Sequence, residues 1–137
     1  MTAPVIVDTG PLVALLVVRD RHYRWARRVL DEIEPPLLTC EAVLSEICFL
    51  VRKLESGPDT VLNLLARGVL DVTFQLQPEA ERIRKLMSRY ASVPMSLADA
   101  CLVRMAELHG DSPILTLDGD FRIYRKNGRQ ALALISN

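Results

Sequence analysis

The sequence has little of what metal centres and nucleotide sites are most often built from. Its three cysteines (Cys40, Cys48 and Cys101) form no CxxC pair, and its two histidines, His22 and His109, lie far apart in the chain. Neither a disulfide framework nor a zinc site is therefore expected, and free thiols favour the reducing cytoplasm. The glycines lack the spacing of a Walker loop or a dinucleotide-binding motif, which excludes those two classes.

Long apolar runs and an excess of one charge are also missing. The longest apolar run, residues 11–18, is too short to cross a bilayer, and Asp8 precedes it where a signal peptide would start with basic residues. The 17 basic and 17 acidic residues cancel, so no global attraction draws the chain to nucleic acid or to a membrane. We expect a cytoplasmic protein without a membrane span, in which any affinity for polyanions comes from local charge separation.

The composition that remains is that of a globular domain. Half of the 137 residues are hydrophobic and a quarter are charged, so the chain can bury one core without disulfides. Short β-branched runs alternate with helical periodicity, which predicts an α/β fold with a parallel sheet covered on both faces. The predicted strands are 5–7, 37–39, 69–76, 114–117 and 131–135. The predicted helices are 11–17, 20–33, 40–54, 59–66, 79–90 and 96–109, with a short helix or turn at 119–124. One domain spanning residues 1–137 is expected.

Two aspartates directly follow predicted strands. Asp8 comes after the first strand and Asp118 after the fourth. Ligands of open parallel sheets bind outside the carboxyl ends of the strands, so both side chains point to the usual site. Each also has a structural alternative, because Asp8 can cap the next helix and Asp118-Gly119 is a common turn pair.

A glutamate lies on an apolar helical stripe. Glu46 follows Val43 by three residues and precedes Phe49 and Leu50 by three and four, a spacing that predicts one shared face. A buried carboxylate needs a cation or strong donors. A salt bridge to an arginine at the edge of the core is the alternative.

Asp99 repeats this pattern at the start of the last long helix. Leu102, Val103 and Ala106 follow it at helical spacing. Residues 96–99 also match a capping box in which Asp99 replaces the preferred Glu. Both roles are compatible, since an acid in the first turn can face a site while it stabilises its helix.

Convergence of these four acids has a chemical consequence. At about 5 Å each pair repels by about 3 kcal/mol at an effective dielectric of about 20, and the six pairs together exceed the usual stability of a domain. A divalent cation relieves this repulsion, and oxygen ligands alone favour Mg²⁺ or Mn²⁺. Such an ion can activate water, orient a phosphate and stabilise a leaving oxygen, so the acids predict metal-dependent phosphoester cleavage.

The order and context of the acids resemble those of PIN-domain ribonucleases, most closely the VapC-like toxins of bacterial type II toxin–antitoxin pairs. The resemblance runs through residues 5–12 (VIVDTGPL), 44–47 (LSEI), 96–100 (SLADA) and 115–121 (LTLDGDF) and covers essentially the whole chain. It implies a three-layer α/β/α fold, with a parallel sheet of four to five strands usually ordered 3-2-1-4-5. It also implies a pocket for one or two Mg²⁺ or Mn²⁺ ions and endonucleolytic cleavage of RNA.

The resemblance also implies roles for individual residues. The three core acidic positions match Asp8, Glu46 and Asp99, and the more variable fourth matches Asp118, with Asp120 as the alternative. Two hydroxyl positions match as well: Thr116 would orient an acid or a metal-bound water, and Thr9 is a small polar residue beside the first acid. Each also has a structural alternative: Thr116 can simply be a β-branched strand residue, and Thr9 can cap a helix. Gly10 departs from the many relatives that carry a hydrogen-bonding side chain there.

Substrate and partners are expected at other surfaces. Arginines and lysines concentrate in residues 19–28, 82–89 and 122–129, and Arg122, Arg125 and Lys126 are the best candidates for RNA backbone contacts because they follow Asp118. Tyr23 and Trp25 could stack on bases, or pack in the core. Apolar residues in 20–34 and 40–66 predict a homodimer, and a toxin of this kind would have a protein antitoxin. The alternatives are a PIN-fold nuclease that is not a toxin, or a catalytically silent module that binds nucleic acid or a partner.

Overall fold

Five short parallel strands form the centre of the structure, a computed structural model that describes residues 2–137. From one edge to the other they are β3 (Leu70–Asp71), β2 (Leu37–Leu38), β1 (Ile6–Val7), β4 (Ile114–Leu115) and β7 (Leu134–Ile135). A separate antiparallel hairpin contains β5 (Arg125–Lys126) and β6 (Gln130–Ala131). The strand order matches the expected 3-2-1-4-5 arrangement, with β7 as the fifth strand.

Six helices flank the sheet and complete three α/β/α layers. They are α1 (Thr9–Leu16), α2 (Tyr23–Glu32), α3 (Glu41–Leu50), α4 (Gly57–Ala66), α5 (Leu76–Arg89) and α6 (Leu97–Leu108). Helix α1 packs on α2 and α3, α3 also packs on α4, and α5 packs on α6. The predicted α/β fold is therefore confirmed. None of the helices within residues 2–137 is long and apolar enough to cross a membrane.

The core lies between the sheet and its helices. Ile6, Val7, Ile114 and Leu115 in the two central strands are fully buried, as expected for strands covered on both faces. Helix α6 buries seven of its twelve residues. Trp25 is also buried in this core, so the structure favours packing over base stacking for its ring.

The predicted strand 69–76 and the predicted helix 79–90 have different bounds in the structure. The alternation over 69–76 predicted one strand, but the strand ends at Asp71 and α5 begins at Leu76. Pro78 lies in the first turn of α5, where its missing N–H costs nothing, so the helix starts earlier than its apolar face indicated.

The predicted last strand, 131–135, is wrong at its beginning. Ala131 belongs to the β5–β6 hairpin, and only Leu134–Ile135 joins the sheet. Asn127 and Gly128 adopt positive φ angles of 51° and 83° in the hairpin loop, a backbone that Asn and Gly tolerate best. The predicted turn at 119–124 contains a 3₁₀ helix, Gly119–Arg122.

Candidate active site

The carboxyl ends of β1 and β4 bring two predicted site residues together. The strands pair with Ile6 opposite Ile114 and Val7 opposite Leu115, so Asp8 and Thr116 come next at the same edge. The Thr116 hydroxyl donates to Oδ2 of Asp8 over 2.7 Å. Thr116 thus donates directly to the Asp8 carboxylate.

Asp8 caps a helix and has a raised pKa. Its Oδ1 accepts a hydrogen bond of 2.7 Å from the Thr9 backbone N–H and so caps α1. The side chain is buried, and its pKa is raised to about 6, mainly by desolvation. The bonds from Thr116 and Thr9 oppose this rise, while the charges of Asp99 and Asp118 add to it. The Asp8 carboxylate is therefore an anion whose burial is only partly compensated.

Asp118 reaches the same edge from β4. Its backbone N–H donates to the Thr116 hydroxyl oxygen over 3.0 Å, so one threonine links the segments of both aspartates. The exposed Asp118 side chain caps the 3₁₀ helix by accepting from the Asp120 N–H at 2.9 Å. The charge of Asp118 raises the pKa of Asp8, of Asp99 and of Tyr124. The charge of Asp120 contributes to the raised pKa of Tyr124.

Glu46 reaches the cluster through a hydroxyl, but it is not buried. The buried face of α3 consists of Val43, Leu44 and Ile47, and Glu46 lies on the exposed side. The predicted apolar burial of Glu46 is therefore wrong, and within residues 2–137 it forms no salt bridge with an arginine. Its Oε2 accepts from the Thr9 hydroxyl at 2.7 Å, which places the carboxylate next to the Asp8 segment.

Asp99 is half-buried in the first turn of α6, and both of its predicted roles are compatible with its position. It completes the capping box, because its backbone N–H donates to the Ser96 hydroxyl and its carboxylate accepts from the Ser96 N–H. Its Oδ2 also accepts from the Tyr124 hydroxyl over 2.8 Å. Burial raises the pKa of Asp99 against these hydrogen bonds, and the Asp118 charge raises it further.

Tyr124 is the residue of this site that sequence reasoning missed. Its ring is fully buried between Tyr90 and Phe121, with ring centres 5.1 and 5.2 Å away. Burial and the bond to Asp99 raise the pKa of the Tyr124 hydroxyl, so it remains a donor. The sequence shows a tyrosine six residues after Asp118, but hydrophobic periodicity does not predict where its hydroxyl group lies in the fold.

The three cations predicted to bind RNA differ in their surroundings. Lys126 is buried, and its ammonium donates to the Gly110 carbonyl at 2.7 Å. The Arg125 guanidinium donates to the carbonyls of residues 122–124. Arg122 is exposed, with a 3.4 Å contact to the Ser136 hydroxyl. Arg122 is therefore the most exposed of the three, and the expectation for Lys126 loses its support.

The donor chemistry of the four acids fits a hydrated divalent cation. Among residues 2–137, no three side chains of His, Cys, Asp or Glu lie close enough to bind one ion directly. Mg²⁺ keeps several of its waters and is often bound through only one or two carboxylates. The pKa of buried Asp8 is raised, and the negative charges of Asp99 and Asp118 contribute to this rise. A cation at this position would offset their repulsion.

Comparisons with known proteins agree with this architecture. The sequence model described as the PIN domain matches residues 5–127. Ribonuclease VapC26 of Mycobacterium tuberculosis (strain ATCC 25618 / H37Rv) is 27% identical over 116 residues, which cover 82% of this chain and 85% of the relative. The crystal structure of Mycobacterium tuberculosis VapC20, described as a Sarcin-Ricin loop cleaving toxin, superposes with a TM-score of 0.76. That match has 22% identity and covers 85% of this chain and 91% of the other.

Proposed function

Because the chain belongs to the PIN-domain family, we propose that it is a metal-dependent endoribonuclease and the toxin of a toxin–antitoxin pair. The observation that carries the proposal is the buried Asp8 carboxylate. Thr9 and Thr116 hold its two oxygens, and the charges of Asp99 and Asp118 act on it from neighbouring segments. The relative named as a ribonuclease, VapC26, supports the same activity.

Four acids would hold a hydrated Mg²⁺ or Mn²⁺ in this proposal, partly through the waters of the ion: Asp8, Glu46, Asp99 and Asp118. Such an ion would supply positive charge to the phosphate and lower the pKa of water, both of which phosphodiester hydrolysis needs. The chain's own contribution is orientation. Thr116 fixes Asp8 and Thr9 fixes Glu46, each through a 2.7 Å hydrogen bond, and Tyr124 fixes Asp99.

Substrate, partners and location belong to the same proposal. RNA is the substrate class, and Arg122 is the exposed cation nearest the fourth acid in sequence. An antitoxin protein would cover the site in the cytoplasm, and residues 1–137 would act as one domain. A homodimer is supported by exposed apolar side chains on α3 and α4: Phe49, Leu50 and Leu62 are 61%, 55% and 52% exposed.

Cleavage of RNA by purified protein tests the activity. We expect Mg²⁺ or Mn²⁺ to support endonucleolytic cuts, EDTA to stop them, and Asp99→Asn to abolish them while the variant stays folded. Asp111→Asn is the matched control, because this exposed aspartate lies in the turn before β4 and should keep full activity. Cleavage that survives Asp99→Asn and EDTA alike would contradict the proposal.

Growth on expression tests the toxin role separately. The wild-type chain should arrest growth, and Asp99→Asn should relieve the arrest at equal protein level. A purified protein that cuts RNA without arresting growth would be a PIN-fold nuclease of another role. A folded protein that binds RNA but never cuts it would be the binding module instead.

A further inference from the structure

Helix α2 carries its charges in the order opposite to the one that its dipole favours. Arg24 lies in its first turn, and Asp31 and Glu32 lie in its last turn, with no acid in the first turn and no base in the last. The helix dipole favours the reverse, with acids at the N-terminus and bases at the C-terminus. Helix stability therefore does not explain why an arginine, Arg24, lies at the N-terminal end of α2.

The arginines of this region are also free of acidic partners. Arg19, Arg21, Arg24, Arg27 and Arg28 are all exposed, and within residues 2–137 none of them forms a salt bridge. Asp31 and Glu32 follow Arg27 and Arg28 by four residues, yet neither pair forms a salt bridge. Arg27 instead donates to the Tyr23 hydroxyl at 2.9 Å. The positive charge thus faces solvent.

The N-terminal end of α2 stands at the same edge of the sheet as the acids. His22, which precedes the helix, contacts the Asn137 amide at 3.1 Å, and Arg21 donates to the other ring nitrogen of His22 at 3.1 Å. Ser136, next to Asn137, meets Arg122 at 3.4 Å. Ser136 and Asn137 follow β7, which pairs in parallel with β4. They therefore lie at the edge of the sheet where Thr116 and Asp118 follow β4.

These contacts join two arginine groups that are far apart in sequence. We propose that Arg21, Arg24 and Arg122 form an arginine track that binds the phosphates of single-stranded RNA and leads it to the acidic edge. The inference rests on the proposed ribonuclease function. An acidic site repels a polyanion, so cations beside it are needed to hold the strand, and phosphate contacts supply most of the sequence-independent affinity.

Binding of a fluorescent single-stranded RNA in EDTA tests the track without cleavage. The double variant Arg21→Gln/Arg24→Gln should bind at least about 10-fold more weakly than the wild type. The slope of log Kd against log salt should fall by about 0.7 for each lost phosphate contact. Lys53→Gln/Arg67→Gln, an equal loss of charge at exposed positions that follow α3 and α4, should change the Kd less than about twofold.

A second readout separates the track from a structural role. Because Arg24 opposes the dipole of α2, Arg24→Gln should leave the melting temperature unchanged or slightly raised. If both double variants lose affinity equally, only net charge matters and the track is wrong. If the track variant binds RNA normally but loses affinity for poly-glutamate, the surface receives an acidic protein instead, which also overturns the proposal.

Failure of the proposed function gives a different pattern. A wild-type protein that neither cuts nor binds RNA overturns the ribonuclease and the track together. A wild-type protein that cuts RNA, alongside a track variant that binds and cuts equally well, overturns the track alone.

Discussion

At the scale of single residues, Asp8 serves the fold and the site with the same two oxygen atoms. One caps α1 and the other receives the Thr116 hydroxyl, each over 2.7 Å. These bonds do not offset the loss of water and the nearby negative charge, because the pKa is still raised to about 6. The ionised Asp8 side chain therefore lowers the stability of the metal-free protein at neutral pH.

Replacing Asp8 with Asn should stabilise the metal-free fold and abolish cleavage. A rise of about two pKa units corresponds to about 3 kcal/mol, so we expect a gain of roughly 1–3 kcal/mol at about pH 7.5 in EDTA. The Asn amide can still accept from Thr9 and can donate to the Thr116 hydroxyl oxygen. Urea denaturation of both proteins measures the difference.

The pH dependence of that difference has a fixed sign. Folded Asp8 binds its proton more tightly than unfolded Asp8, so wild-type stability falls as pH rises from about 4 to about 6. The gain from Asp8→Asn should thus be largest above pH 6 and vanish below about pH 4. A variant less stable than wild type at about pH 7.5 would contradict the assignment of an uncompensated buried charge.

Tyr124→Phe should reduce activity while the packing of the core is kept. The ring keeps its packing against Tyr90 and Phe121, but Asp99 loses its 2.8 Å donor. A hydrogen bond to a charged group contributes about 1.5–3 kcal/mol, so kcat/KM should fall about 10- to 100-fold. As a positioning residue, Tyr124 should also affect the Kd for Mn²⁺, which calorimetry measures without turnover.

Tyr23→Phe is the matched control for that substitution. It removes a hydroxyl on α2 that contacts only Arg27, and it should leave both the activity and the Mn²⁺ affinity unchanged. Equal effects of the two substitutions, or an unchanged Mn²⁺ affinity in Tyr124→Phe, would contradict the positioning role.

How far the sequence predicted the site depends on how long each side chain is. Asp8 and Thr116 have short side chains at the ends of β1 and β4, so they meet once these strands pair. The sequence predicted this pairing only through the family resemblance. Helical spacing shows that Glu46 shares a face with apolar residues, and this predicted its burial. The spacing does not show which face of the helix packs on the core. Lys126 and Tyr124 have long side chains whose end groups contact Gly110 and Asp99. A local sequence pattern cannot predict these contacts, because the partners are distant in sequence. The functional roles of the four acids stay predictions.

At the scale of elements, Glu107 on α6 joins three parts of the fold. Its carboxylate, 1% exposed, pairs with Arg82 of α5 and with Arg104, and it accepts from the Asn127 N–H of the hairpin loop at 2.6 Å. Burial alone would raise the pKa of Glu107, but the bonds from Arg82 and Asn127 hold it below its usual value. The sequence predicted α5 and α6 as helices, but not this link, because the residues involved are 20 to 25 positions apart.

Glu107→Gln should destabilise the protein by about 1–3 kcal/mol. Removing one partner of a buried ion pair costs more than its net contribution, although Arg82 and Arg104 keep some contact with water. Arg84→Gln, which breaks the exposed Arg84–Glu81 pair, should cost less than about 0.5 kcal/mol. Equal losses in chemical denaturation would show that Glu107 does not link these elements.

At the scale of the whole molecule, a net charge of zero conceals a separation of charge. Acidic side chains gather at the carboxyl ends of β1 and β4, and unpaired arginines stand at the start of α2 beside the same edge. The alternation of strands and helices predicted the three-layer fold, which the TM-score of 0.76 to VapC20 confirms. Composition could not predict the charge separation, because it arises only when β7 brings Ser136 and Asn137 beside the two arginine groups.

Mn²⁺ or Mg²⁺ should stabilise the whole fold in a pH-dependent way. An ion present at about 100 times its Kd contributes about 2.7 kcal/mol, which in a domain of this size raises Tm by roughly 10 °C. Since the pKa of Asp8 is raised to about 6, protons compete with the ion below that pH. The Tm gain should therefore be large at about pH 7.5, small at about pH 5, and reversed by EDTA. Asp8→Asn/Asp99→Asn in the same buffers should show no gain, and NaCl of equal ionic strength should not reproduce it. A gain that grows as the pH falls, or that persists in the double variant, would mean that the ion binds elsewhere and that the acidic edge is not the metal site.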